Sequence, residues 1–287
     1  MADHSAGCGE GSQKCSPEGS GAIAHNLQDK MIETSLARIK HKLIVMSGKG
    51  GVGKSSVCAN LAVAFANSGK KVGLMDVDLH GPSIPKILGL SGPLGNRGRI
   101  IQPKAYSDNL KVVSVASLMS GEDDLPTIWR GPIKMGVIRQ FISDVQWDDL
   151  DILFIDSPPG TGDEPLTVAQ TIPDARAIIV TTPQEVALAD VRRSINFCRQ
   201  VKMDLLGLIE NMGPFKCPHC NNEIDIFGSG GGKKTAEAMR VDFLGSIPFN
   251  PQVVRQCDNG IPLVSNNDAI DVLQAFDGIV KNIMARL

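Results

Sequence analysis

Residues 48–55 read Gly48-Lys49-Gly50-Gly51-Val52-Gly53-Lys54-Ser55, the spacing G-x-x-x-x-G-K-[ST]. A run of this kind serves phosphate. Gly50, Gly51 and Gly53 are expected to take positive φ and bring the backbone close to a phosphate group. The N–H groups from Gly51 to Ser56 then converge on a β-phosphate at the start of a helix. Lys54 would reach the β and γ oxygens, and the Ser55 hydroxyl would ligate Mg2+. Carboxylates follow at two places. Asp76 and Asp78 come at the end of the apolar run KVGLMD, where strand ends open on a phosphate site. Asp156 follows DILFI in Walker B form, with its carboxylate on a Mg2+-bound water.

Base choice is set by what is missing. Guanine readers carry N/T-K-x-D after a strand. The nearest string, Val201-Lys202-Met203-Asp204, has the wrong first residue and precedes a strand, so ATP is expected. Residues 228–233, GSGGGK, imitate a second phosphate loop. The spacing would need Gly at 227, where the chain has Phe227, so this stretch reads as a hinge before a helix.

The 7 cysteines fall into three groups. Cys58, Cys198 and Cys257 sit singly in helical patterns and read as small core hydrophobes. Cys8 and Cys15 lie near the start of the chain. Cys217 and Cys220 form one tight pair, C-P-H-C, able to present two thiolates to one metal centre. That is half a tetrahedral set, and a C2 dimer would supply the other half. Three occupants fit: a [4Fe–4S] cluster, zinc with His219 available, or a redox disulfide, which lacks a thioredoxin-like helix start.

The elements that must position these groups alternate. Helical patterns lie at 26–40 (Leu27, Met31, Ser35 and Ile39 on one stripe, Asn26 as N-cap), 54–68 (Val57, Leu61, Ala64 and Phe65), 131–143, 185–202 and 231–240. The last lies at about 268–287, with Ile270, Leu273, Phe276, Val280, Ile283 and Leu287 on its apolar side. Apolar strands fall at 41–47, 71–76, 111–115, 151–155, 177–181, 205–209 and 243–247. This alternation predicts an α/β fold, a doubly wound, mostly parallel sheet flanked by helices. Residues 1–25, rich in Gly and Ser, read as a flexible tail, and 26–287 as a single ATPase domain with a CxxC insertion near 211–232.

Composition excludes several classes. Lys and Arg number 29 against 31 Asp and Glu, a net charge of −2, so no strongly basic whole-chain charge drives nucleic-acid binding. Aromatics are 4%, too few for base-stacking platforms. Hydrophobic residues at 42% suffice for a core. No apolar run approaches the roughly 18 residues that span a bilayer. The first residues, MADHSAGCGEG, lack a basic stretch followed by an apolar one. A cytoplasmic protein with reduced thiols is expected, with no membrane and no nucleic acid among its partners.

Lys49 adds a second lysine to the phosphate loop. KGGVGK resembles the deviant Walker A of the P-loop ATPases that include MinD, ParA, ArsA, the nitrogenase iron protein and the Mrp/NBP35 proteins. In that family this lysine crosses a dimer interface to the partner's nucleotide. The resemblance therefore implies a nucleotide-sandwich homodimer, with Lys49, Lys54 and Asp78 in the catalytic set. DVDLHGPSIP resembles the first switch, which implies that Asp76 joins Ser55 and Asp156 around Mg2+ and that Asp78 orients the attacking water. Pro158-Pro159-Gly160-Thr161-Gly162 resembles the second switch, where a glycine N–H senses the γ-phosphate. The Asn of LIENM, Asn211, matches the family's adenine contact, and Pro248-Phe249-Asn250 resembles the opposite wall of that pocket.

The strings SGKGGVGKS, DVDLHGPSIP, WRGP at 129–132, DSPPGTGDE, TTPQE and NM…CPHC…FGSGGG together resemble the Mrp/NBP35 (ApbC/NUBP-type) family. That resemblance implies an ATPase that assembles a [4Fe–4S] cluster between two subunits at Cys217 and Cys220 and transfers it to apoproteins. The eukaryotic NBP35 pattern has four N-terminal cysteines. With only Cys8 and Cys15 here, the tail holds either a second centre shared between subunits or unligated thiols.

Competing expectations are a MinD/ParA-like positioning ATPase and a zinc-binding adaptor without cluster transfer. A nitrogenase-type reductase is a third. The first wants a basic terminal helix, but this one carries Asp268, Asp271 and Asp277 against Lys281 and Arg286. The third bridges its cluster near the switches, yet no cysteine lies between 58 and 198.

Overall fold

A computed structural model describes residues 28–79, 81–92, 94–97, 100–118, 131–217, 220, 222–265 and 269–287. Cys8, Cys15, Asn26, Leu27, Trp129, Arg130, His219 and Asp268 lie outside the described residues.

The chain enters on helix α1 (28–36) and strand β1 (Ile39–Met46), followed by α2 (Lys54–Asn67), β2 (Val72–Asp76) and the short α3 (Ile84–Ile87). A small hairpin, β3 (Gly95–Arg97) and β4 (Ile100–Gln102), leads to β5 (Lys104–Ser107) and β6 (Leu110–Ser114). Then come α4 (Gly131–Asp144), β7 (Leu150–Asp156), α5 (Asp163–Thr171), β8 (Arg176–Thr181), α6 (Glu185–Gln200) and β9 (Leu205–Gly213). Strands β10 (Phe215–Lys216) and β11 (Glu223–Ile224) form a second hairpin. Helix α7 (Gly231–Met239), β12 (Phe243–Pro248), α8 (Pro251–Asp258) and α9 (Ile270–Met284) close the chain.

Eight strands make one sheet in the order β12-β9-β8-β1-β7-β2-β6-β5. All neighbours run parallel except β5, which pairs antiparallel with β6 at the edge. Strand periodicity of two sends successive side chains to opposite faces. Leu43 and Val45 of β1 join Leu74, Phe154 and Ile178 in a core under α2 and α9, while Ile44 and Met46 join Met75, Ile155 and Ile179 in the core on the other face. Both faces being buried, these strands read as unbroken apolar runs.

Several local expectations are corrected. The first helix ends at 36, and Ile39 already pairs with Leu150 in the sheet. Its buried side is Ile32 and Leu36, whereas Met31 is 46% exposed. Helix α2 has no single apolar stripe. Lys54, Cys58, Ala59, Asn60 and Ala62 are buried along with Val57, Leu61 and Phe65, because α3 and α9 cover what the sheet does not. In α9 the core side is Val272, Phe276, Ile279 and Ile283, and Ile270 is 66% exposed.

Candidate functional site

The phosphate loop leaves β1 at the C-terminal edge of the sheet and enters α2 through Gly53. Gly51 and Gly53 have φ +80° and +82°, as their place in the loop predicts. Gly50 does not adopt positive φ, and open space surrounds the position a Cβ would take. At Gly53 a Cβ would strike the Asn211 amide nitrogen, so glycine is required there twice over. Residue 53 also serves as the N-cap of α2, with no side chain to satisfy the first N–H groups of the helix. Such a terminus favours an anion.

Lys54, 6% exposed, donates from Nζ to Asp156 Oδ1 (2.6 Å) and to Ser55 Oγ (3.2 Å), and pairs with Asp78 Oδ2 at 3.7 Å. Burial works to lower its pKa, but the charges of Asp156 and Asp78 outweigh it, and the ammonium is held charged. Asp76 ends β2 beside Asp156 at the end of β7, the two being paired in register. Asp76 Oδ1 accepts from the Asp78 N–H (3.1 Å) and Oδ2 from Ser114 Oγ (2.9 Å). Burial, then the Asp156 charge, push the Asp76 carboxyl up to about 8. Asp156 is also raised by burial, against the pull of Lys54. Its Oδ2 is buried without a hydrogen-bond partner. Among the described residues Lys54 thus faces three buried carboxylates, Asp76, Asp78 and Asp156. The orphaned oxygen and the raised Asp76 carboxyl are what a hard cation at this spot would relieve, so the residues fit Mg2+.

The loop after β7 carries Gly160, whose N–H donates to Ser47 O (2.8 Å) at the foot of the phosphate loop. In this conformation that glycine N–H is occupied by Ser47. Lys49 is half-buried and forms no ion pair within the described residues.

Beside the loop opens a cleft of about 190 Å³, lined by residues that include Gly53, Ser56, Asn211, Met212, Pro248 and Phe249. Asn211 Nδ2 donates to Val52 O (2.9 Å), tying the end of β9 to the phosphate loop. Met212 holds φ +61°, a left-handed conformation uncommon outside glycine. Cys257 also lines this cleft, half-buried, its Sγ 3.5 Å from Ser56 Oγ. It is therefore not the pure core residue its spacing suggested. Cys58 and Cys198 are fully buried, and burial pushes both thiols up, Cys198 to about 11.

Cys217 and Cys220 belong to the β10–β11 hairpin, outside the main sheet. Cys217 is half-buried, with its N–H donating to Asn222 O (2.9 Å), and Cys220 is exposed. Among the described residues no group of three or more His, Cys, Asp or Glu gathers to hold a metal, so within one described chain the pair remains half a ligand set. Sequence reasoning missed Glu210. Only 2% exposed, it accepts from the Gly232 N–H at the start of α7 (2.6 Å) and from Ser246 Oγ in β12 (3.1 Å). A lone charged residue inside an otherwise apolar strand run was the available signal.

A glycine-rich loop between a parallel strand and a buried helix, with a lysine facing strand-end carboxylates, defines a P-loop NTPase. The family model described as NUBPL iron-transfer P-loop NTPase (ParA) matches residues 38–284, and the chain belongs to that family. The iron-sulfur cluster carrier protein of Methanocaldococcus jannaschii is 48% identical over 267 residues, 91% of this chain and 89% of the relative. The carrier of the same description from Saccharolobus solfataricus is 48% identical over 238 residues, 82% and 79% of the two chains. Among solved structures, a nucleotide-binding protein from Archaeoglobus fulgidus in complex with ADP superposes with a TM-score of 0.71 at 40% identity, covering 81% of this chain and 91% of that one. MinD of Pyrococcus horikoshii, at 23% identity and a TM-score of 0.62, covers 85% and 96% and shows the shared fold. No helix among the described residues is long and apolar enough to cross a membrane.

Proposed function

We infer that this protein is an ATP-dependent iron–sulfur cluster carrier. It binds ATP at the loop after β1, hydrolyses it slowly with Mg2+, and assembles a [4Fe–4S] cluster between two copies of the chain for delivery to apoproteins. The observation that carries this reading is the placement of Cys217 and Cys220 on an exposed hairpin rooted beside the nucleotide cleft. The likeness at 48% identity to named carriers supports it.

Residues 48–56 bind the phosphates through the N–H groups from Gly51 to Ser56, and Lys54 turns from Asp156 to the β and γ oxygens. Ser55, Asp76 and Asp156 hold Mg2+, which when bound supplies positive charge against the departing phosphate. Asp78 orients the attacking water. Asn211 and Pro248 flank the adenine. Lys49, which forms no ion pair among the described residues, reaches the nucleotide of the second copy. We take 26–287 as one ATPase domain with the hairpin as its insertion, working in the cytoplasm. Cys8 and Cys15 are candidates for a second shared centre.

Anaerobic reconstitution tests the reading. The wild-type protein is expected to turn brown and carry about four irons, with matching acid-labile sulfide, per pair of chains. Cys217→Ala and Cys220→Ala should each lose both. A colourless, iron-free product, or one that takes up only zinc, overturns it.

A further inference from the structure

Phe249 belongs to two sites at once. It lines the base cleft between Pro248 and Asn250. Its ring also packs edge-on against Phe215, centroids 5.4 Å apart at 61°, and against Phe227, 5.9 Å apart at 66°. Those two rings stand at the feet of the cysteine hairpin. Phe215 lies in β10, just before Cys217, and Phe227 follows β11 on the way to α7. The Phe249 N–H donates to Gly213 O (2.8 Å), fastening the end of β12 to the residue from which the hairpin departs. The pairing of β12 with β9 is irregular at this point, shifting register between Ser246 and Pro248.

A hairpin of two residues per strand is marginal on its own, so what it packs against decides its pose. Here the packing surface is a wall of the cleft. The opposite wall is joined to the same hairpin by the chain itself, since Asn211 and Met212 line the cleft and run on through Gly213 to Phe215. Met212 holds its left-handed φ in this link, a conformation sustained by its surroundings.

We propose that Phe249 is a positioning residue that couples the base cleft to the cysteine hairpin. An adenine seated in the cleft fixes the Phe249 ring, and its contacts with Phe215 and Phe227 fix the hairpin, so nucleotide occupancy governs how firmly Cys217 and Cys220 hold their cargo. This rests on the reading that the cleft takes the base and the pair takes the cluster. By linkage, cargo must alter nucleotide affinity by the same factor. A ligand that fills the phosphate loop but not the cleft must have no such effect.

The test follows iron release from cluster-loaded protein to a ferrous chelator, with Mg2+ and ADP, a non-hydrolysable ATP analogue, or inorganic tripolyphosphate. Each is used at a concentration that displaces a fluorescent nucleotide. The adenine nucleotides should change the release rate by about fivefold or more, the lower end of ordinary coupling. Tripolyphosphate should leave it unchanged. Phe215→Leu combined with Phe227→Leu should keep cluster content and the nucleotide affinity of the cluster-free protein while losing the response.

A full response to tripolyphosphate would route the coupling through the phosphate loop and overturn the proposal. So would a wild-type response in the double variant, or no response in the wild type. Should the double variant not fold, hydrogen exchange of wild-type residues 214–228 with and without ADP decides, and no change there overturns it. Protein that binds no cluster or no nucleotide overturns the functional reading as well, and that failure is visible before any rate is measured.

Discussion

Lys54 pairs with both Asp156 and Asp78, and that dependence can be measured. Replacing it with alanine leaves buried carboxylates without their partner, a change that ordinarily costs about 3–5 kcal/mol. Protonation relieves part of that at low pH, so Lys54→Ala should be less destabilised in urea at pH 5.5 than at pH 8, and should not hydrolyse ATP at either. Asp76 supplies a second prediction. Its carboxyl titrates near 8 in the folded protein against 3.8 when unperturbed. From about pH 4 to 8 the unfolded chain has released a proton that the folded chain keeps, so stability falls as pH rises through that window. Urea midpoints in EDTA should therefore drop from pH 5.5 to pH 8, and Asp76→Asn should flatten the slope. A mutant slope equal to the wild-type one would refute the assignment. Lys54 was readable in the sequence from the spacing of its glycine loop, and Asp76 and Asp156 because each ends an apolar run. That all three are buried together against one lysine was not, because it depends on β2 and β7 being neighbours.

Strands and helices were legible in proportion to their length. The apolar runs of β1, β2, β7, β8 and β9 are long enough to announce themselves, and the alternation with helices gave the parallel sheet. Short pieces left no period to read: β10 and β11 have two residues each, and α8 is amphipathic over only eight. Boundaries slipped where one residue suits two patterns. Ile39 continues a helical stripe in the sequence but pairs as the first residue of β1. The join of β1 to α2 yields a third prediction. Gly53→Ala combines a φ of +82° with a clash against the Asn211 amide, and should destabilise the protein by about 1–3 kcal/mol. Shortening the obstacle with Asn211→Gly in the same chain should recover the steric part and leave the backbone part, as read from paired thermal unfolding curves.

The proposed two-copy assembly can be tested at Lys49, which is half-buried and forms no ion pair among the described residues. Lys49→Ala is expected to bind a fluorescent ATP analogue within about twofold of wild type but to lose ATP-dependent dimerisation and most hydrolysis, since a charge supplied across an interface acts mainly in the transition state. Sedimentation with and without nucleotide would check it, and an unchanged dimer fraction would refute the role.

Glu210 has a consequence for engineering. By accepting from the Gly232 N–H (2.6 Å), its side chain ties the end of β9, where the cysteine excursion leaves the body, to the start of α7, where it rejoins. An insertion of that shape is detachable. Replacing residues 214–230 with a short glycine linker should change loop-closure entropy by only about 1 kcal/mol and leave a folded body that still binds nucleotide but lacks Cys217 and Cys220. The same feet would accept a metal-binding hairpin of another design.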